Sequence, residues 1–212
     1  MGLIKLLYQD PVAFLILATL LLYSVILHEV AHGWVAYLFG DDTAKRSGRL
    51  TLAPLPHLNL MGTLALFLIG FGWAQPVPVN YSRLSYQRLG LFCVSFAGCA
   101  ANILIASIAI ALLQIETIRA LPFLAKSLPI LIYINITLGA LNLIPIPPLD
   151  GSKIVMCFLP EQLNRALSRI EPYGFFILIL LIVSGLLTPV IISVQKLIFS
   201  AIVSILDFLR LI

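Results

Sequence analysis

The sequence predicts an all-α polytopic membrane protein, a bundle of about five to six transmembrane helices with a re-entrant or β-hairpin-like segment near residues 58–80. Three observations predict it. Of the 212 residues, 61% are hydrophobic and only 10% are charged, against about 25% charged in soluble domains. Apolar runs long enough to cross a bilayer follow one another, separated by short stretches rich in proline, glycine and basic residues. No repeat, low-complexity tract or shift in composition marks off a second module, so residues 1–212 are expected to form a single domain.

The first long helix is well signalled. Asp10 is a good N-cap residue, Pro11 suits a first helical turn, and the apolar run continues to Phe39 before Gly40 stops it. At about 1.5 Å per residue it is roughly 43 Å long, more than the ~30 Å hydrocarbon layer, so it must tilt or protrude. The run also outlasts a secretory leader, so no cleavable signal is expected. The next apolar piece, "LNLMGTLALFLIGFGW" at 58–73, is short, glycine-containing and flanked by Pro54, Pro56 and Pro76. Ordinary spans are expected at about 89–113, 128–149 and 172–187, and a last one at about 190–211 after Thr188-Pro189. The stretch 150–171, with Lys153, Glu161, Arg165, Arg169 and Glu171, is amphiphilic.

The net charge is +4, and the thirteen basic residues are spread over short loops rather than gathered into one patch, a pattern that sets membrane orientation and argues against nucleic acid as a partner. If 58–73 dips in and returns, one face carries Lys45, Arg46, Arg49, Arg83, Arg88, Lys153, Arg165, Arg169 and Arg210, and the other only Lys5, Arg119, Lys126 and Lys196. If 58–73 spans, this asymmetry nearly vanishes or reverses. The basic bias therefore predicts five full spans plus a re-entrant piece, with the N-terminus outside and the C-terminus cytoplasmic. Cys93, Cys99 and Cys157 form no CxxC pair and are expected to be small apolar fillers.

Inside the first helix lies "LLLYSVILHEVAHGWVAYLFG", residues 20–40. A carboxylate at mid-membrane costs about 2.5–3.5 kcal/mol on insertion scales, and ionisable groups at that depth mark function. His28 and His32 are four residues apart on one helical face, close enough for both imidazoles to reach one zinc ion, with Glu29 beside them to accept a proton from water. Zinc needs at least one further protein ligand and an open position. Two candidates exist: His57, in "APLPHLNLMGT", and Asp150, in "LNLIPIPPLDGSKI", where Pro145, Pro147 and Pro148 must break the helix. His28 lies 12 residues before Gly40, roughly 18 Å by helix rise. That places the site within the membrane but nearer the cytoplasmic face.

HEVAH in a membrane helix, followed by NLIPIPPLDG in another, resembles the site-2 protease family of intramembrane zinc metalloproteases. "GRLTLAPLPHLNLMGT", "GFGWAQPVPVN" and "FAGCAANILIA" are similar to stretches of its short prokaryotic members, so the resemblance covers nearly the whole chain. It implies one zinc per chain held by His28, His32 and Asp150, with Glu29 as the catalytic base. It also implies a donor role toward substrate backbone or oxyanion for Asn142, which matches the asparagine opening the family's Asn-Pro-Asp-Gly region. His57 is kept as a second-sphere or substrate-contact candidate, since Asn59 stands near where the family frequently has Asp. Cys99 replaces a common proline and Gln75 a common lysine. No PDZ or CBS module is recognisable, which implies a minimal catalytic core. The implied substrate is a single-span membrane protein within the lipid bilayer. A membrane zinc transporter and a non-catalytic scaffold are the alternatives. A transporter would be expected to show inverted repeats and several acidic ligands, and a scaffold to have lost Glu29 or a ligand.

Overall fold

The computed structural model describes residues 3–69 and 72–211. It is all-helical, as expected, with no strand among the described residues. A short helix α1 (Leu3–Gln9) precedes α2 (Pro11–Leu38), whose start follows the local code: the Asp10 carboxylate accepts the N–H of Ala13 at 3.0 Å and Pro11 opens the first turn. Gly40, with φ of 97°, ends the run in a conformation that disfavours other residues. One turn, α3 (Thr43–Arg46), follows, and then α4 (Leu60–Ile69).

After α4 the chain doubles back on itself. Gly72 and Trp73 return alongside Gly62, so closely that a Cβ on Gly62 would come within 2.0 Å of the Trp73 carbonyl oxygen. The Gln75 N–H then donates to the carbonyl of His57 at 2.8 Å, joining the two ends of the excursion. The hairpin therefore has one helical arm and one extended arm rather than two strands. Pro76 and Pro78 have no N–H to give a ladder. Of the N–H groups that remain, those of Val77 and Asn80 go to the carboxylates of Glu29 and Asp41.

Helix α5 (Gln87–Gln114) leads through the single turn α6 (Glu116–Arg119) to α7 (Pro122–Asn142). The expected span at 128–149 is thus shifted: the helix begins at Pro122, and the proline-rich run after Asn142 ends it early. Short α8 (Asp150–Met156), amphipathic α9 (Glu161–Ile170), α10 (Gly174–Val183) and α11 (Thr188–Phe208) complete the chain. Among the described residues, five stretches are long and apolar enough to cross a membrane: Pro11–Leu38, Gln87–Gln114, Pro122–Asn142, Glu161–Val183 and Thr188–Phe208. Helices α2, α5 and α7 pack together, and α11 closes on α5 and α7 through Ala106, Ile110, Ile136, Ala140, Ile198, Ile202 and Leu206. Cys93, Cys99 and Cys157 are all free thiols.

Candidate metal centre

His28 and His32 lie on the face of α2 that meets α5, their rings edge to face with centroids 4.7 Å apart. Each Nδ1 is engaged. That of His28 lies 2.6 Å from Asn102 Oδ1, and that of His32 lies 2.6 Å from the carbonyl oxygen of Val94. Both partners are acceptors, so each Nδ1 carries the proton and each Nε2 presents a lone pair. The two Nε2 atoms are 3.1 Å apart, and Asp150 Oδ2 sits 3.1 Å from each. Three electron-rich atoms thus face a common point, and the buried Oδ2 finds no well-aligned hydrogen-bond donor. Such an arrangement calls for a cation. A tetrahedral zinc with ligand bonds of about 2.0–2.2 Å has ligand–ligand edges of about 3.3 Å, so these donors fit it with a small outward adjustment.

Asp150 reaches the pair because the chain is broken ahead of it. Residues 143–149 turn without forming a helix, and α8 begins at Asp150 itself. Gly151 permits the approach: a Cβ there would lie 2.4 Å from the carbonyl oxygen of Leu143 and 2.5 Å from that of Ile144. Gly174 accepts Pro147 against its backbone in the same way.

Glu29 points into a cavity of about 530 Å³, and its Oε2 accepts the Val77 N–H at 3.0 Å. His28, Trp73, Asn142, Phe175 and Leu178 also line this cavity. Asn142 therefore borders the space beside the cluster, while its Nδ2 donates to the carbonyl of Leu138 at 3.0 Å. His57 does not join the ligand cluster. It is buried, with Nε2 2.9 Å from the carbonyl oxygen of Thr51, so its imidazole ties the loop before α4 together. Of the two candidates for a third ligand, the fold brings Asp150 to the histidine pair.

Two neighbours of the cluster were missed in the sequence. Asn102 orients His28, and its own Nδ2 donates to Asn135 Oδ1 at 2.8 Å; Asn135 in turn donates to Ser24 Oγ at 2.9 Å. Both asparagines are fully buried. Gly98 lies under the rings, where a Cβ would come within 2.4 Å of His28 Cε1 and His32 Nε2. Buried asparagines in apolar spans were the available signal for the first. The i, i+4 alignment of Val94, Gly98 and Asn102 on one face of α5 was the signal for the second.

The family profile described as Peptidase family M50 matches residues 119–185, which include Asp150. A Bacillus subtilis protein named "Putative zinc metalloprotease YwhC" is 40% identical over 173 residues, covering 78% of this chain and 79% of that protein. The chain belongs to peptidase family M50, the site-2 protease family. Also similar to this chain is the Mycolicibacterium smegmatis protein named "Putative zinc metalloprotease Rip2", 31% identical over 171 residues, 77% of this chain and 64% of that protein. The Mycobacterium tuberculosis (H37Rv) protein of the same name is 30% identical over 166 residues, 76% of this chain and 63% of that protein. No solved structure matches the chain.

Proposed function

We propose that this M50 peptidase is a zinc-dependent intramembrane endopeptidase that hydrolyses peptide bonds in or near transmembrane segments of membrane proteins. His28, His32 and Asp150 hold the metal and Glu29 is the catalytic base. The observation that carries this reading is the convergence of two Nε2 lone pairs and one carboxylate oxygen, each 3.1 Å from the others, beside a cavity that Glu29 lines. Zinc, when bound, polarises a peptide carbonyl and lowers the pKa of a water toward about 7.

The chain's own residues supply the rest. Asn102 and the Val94 carbonyl keep both imidazoles in the tautomer that binds a metal. The Val77 N–H holds one oxygen of Glu29, leaving the other to take the proton of an attacking water and return it to the leaving amine. Asn142 lies on the cavity wall, where it can donate to a substrate carbonyl. A helical substrate must unwind to offer its carbonyl, and a cavity lined by Leu138, Leu141, Phe175 and Leu178 shelters an apolar stretch once it does. The substrate is a membrane protein, of the single-span kind. The basic residues favour a multi-pass chain in the cell membrane with its N-terminus outside, its C-terminus cytoplasmic, and its metal nearer the cytoplasmic face.

The test compares purified wild type with Glu29→Gln in liposomes holding a model single-span substrate. Wild type should cleave, and both proteins should contain about one zinc per chain. Equal cleavage by the variant, or zinc movement across the liposome without proteolysis, would overturn the reading.

A further inference from the structure

Asp41 is fully buried, yet it belongs to neither the ligand cluster nor the cavity. It follows Gly40, just beyond the end of α2, and its carboxylate faces two ways. Oδ1 accepts the backbone N–H and the hydroxyl of Thr43, and Oδ2 accepts the N–H of Asn80 at 2.6 Å. Burial opposes the ionised form, but the Thr43 and Asn80 hydrogen bonds and the nearby Arg83 guanidinium hold the carboxyl below the usual carboxylate range. Asp41 is therefore an anion at neutral pH, and its hydrogen bonds are charge-assisted.

Arg49 grips the other end of the same segment. Its Nη2 donates to the carbonyl of Gln75 at 2.7 Å and to that of Pro76 at 3.2 Å. Between these two grips the buried side chain of Val77 packs over Gly33, where a Cβ would lie 2.8 Å from Val77 Cγ1. At this point the Val77 N–H reaches Glu29.

In a β-sheet, ladder hydrogen bonds and side-chain alternation would set the register of an extended segment. Here no strand among the described residues lies beside the segment to form a ladder, and Pro76 and Pro78 have no N–H to give one. The sequence Pro-Val-Pro also makes register decisive, because a slip of one residue either way would put a proline, with no N–H, opposite Glu29. We propose that Asp41 and Arg49 are positioning residues that clamp residues 75–80, so that the Val77 N–H meets the Glu29 carboxylate and aims it into the cavity. The part played by Glu29 in this is the one proposed above.

The experiment is a double-mutant cycle on the zinc-loaded chain in liposomes with the model substrate. Asp41→Ala should lower kcat roughly ten- to a hundredfold, the scale of a misplaced catalytic group, with KM within about twofold and zinc content unchanged. Val77→Pro deletes the donor directly and should cause a similar loss. Both changes act through one hydrogen bond, so the double variant should be no slower than Val77→Pro alone. Asp41→Asn retains an acceptor for Asn80 and should recover part of kcat. Losses that multiply, a normal kcat in Asp41→Ala, or loss of zinc from it would overturn the clamp.

If Asp41→Ala does not fold, Arg49→Ala runs the same cycle. Amide exchange gives a readout independent of cleavage. The peptide spanning 75–80 should exchange faster in Asp41→Ala and Arg49→Ala than in wild type, and unchanged exchange would overturn the clamp. Failure of the wild type itself to cleave would instead count against the protease reading, and exchange would still decide the clamp.

Discussion

The histidines of α2 owe their chemistry to what their Nδ1 atoms touch. A proton fixed toward Asn102 and toward the Val94 carbonyl leaves both Nε2 atoms basic, and the relay through Asn135 to Ser24 fixes which way the Asn102 amide faces. Groups that hydrogen-bond the far nitrogen of a metal-binding histidine commonly contribute ten- to a hundredfold in metal affinity. Asn102→Ala should weaken zinc binding by about that factor, measured by competition with a chelator of known affinity, while Glu29→Gln leaves affinity near wild type. Gly98 is subject to a steric constraint. Gly98→Ala drives a methyl into both rings and should abolish stoichiometric zinc. Gly139→Ala, whose new Cβ would meet its neighbours at an ordinary 3.8–3.9 Å, should retain the metal.

At the scale of elements, the decisive piece is the non-helical link between α7 and α8. Helix α7 ends at Asn142, Ile144 and Leu149 pack with Leu178 and Leu187, and Gly151 lets α8 start against the end of α7. The added Cβ of Gly151→Ala would strike backbone carbonyls that cannot swing aside like a side chain. It should cost about 1–3 kcal/mol of stability and pull Asp150 from the histidines. Loss of zinc and a lower Tm, read on the same sample, check this. The expected span at 128–149 ran too far because apolar composition continues across the prolines. Hydropathy registers burial in lipid, but not the missing N–H groups that end the helix. Likewise, "QPVPVN" reads as extended from its prolines, but which groups take its few donors depends on residues 29 and 41, far away in sequence.

For the whole molecule, the proposed metal ligands come from α2 and α8, so a bound ion would tie the two across the bundle. A ligand that binds only the folded state stabilises it by RT ln(1 + [L]/Kd), about 4 kcal/mol at a thousandfold excess over Kd. A strong chelator should therefore lower the Tm of the wild type by several degrees. His32→Ala should start lower and respond little, which a thermal melt with and without chelator checks. The proposed orientation makes a separate prediction. A cysteine placed at Lys45 should react with a membrane-impermeant maleimide only after cells are opened, and one at Lys126 should react in intact cells. The reverse pattern would invert the topology.

The sequence alone determined what depends on local spacing and on solvent. Its apolar runs required a helical membrane bundle, Asp10-Pro11 and Gly40 bounded the first long helix, and the four-residue spacing of His28 and His32 put two imidazoles on one face with Glu29 adjacent. Only the tertiary structure decided what depends on distant segments meeting. Sequence spacing left His57 and Asp150 both open as the third ligand, and gave Asn102, Gly98 and Asp41 no part. Helical periodicity fixes neighbours within about a turn of the same helix. Which side chain completes a site from another helix is set by how helices pack and where the chain breaks. Here those were settled by close contacts at Gly98 and Gly151 that the residues' identities do not announce.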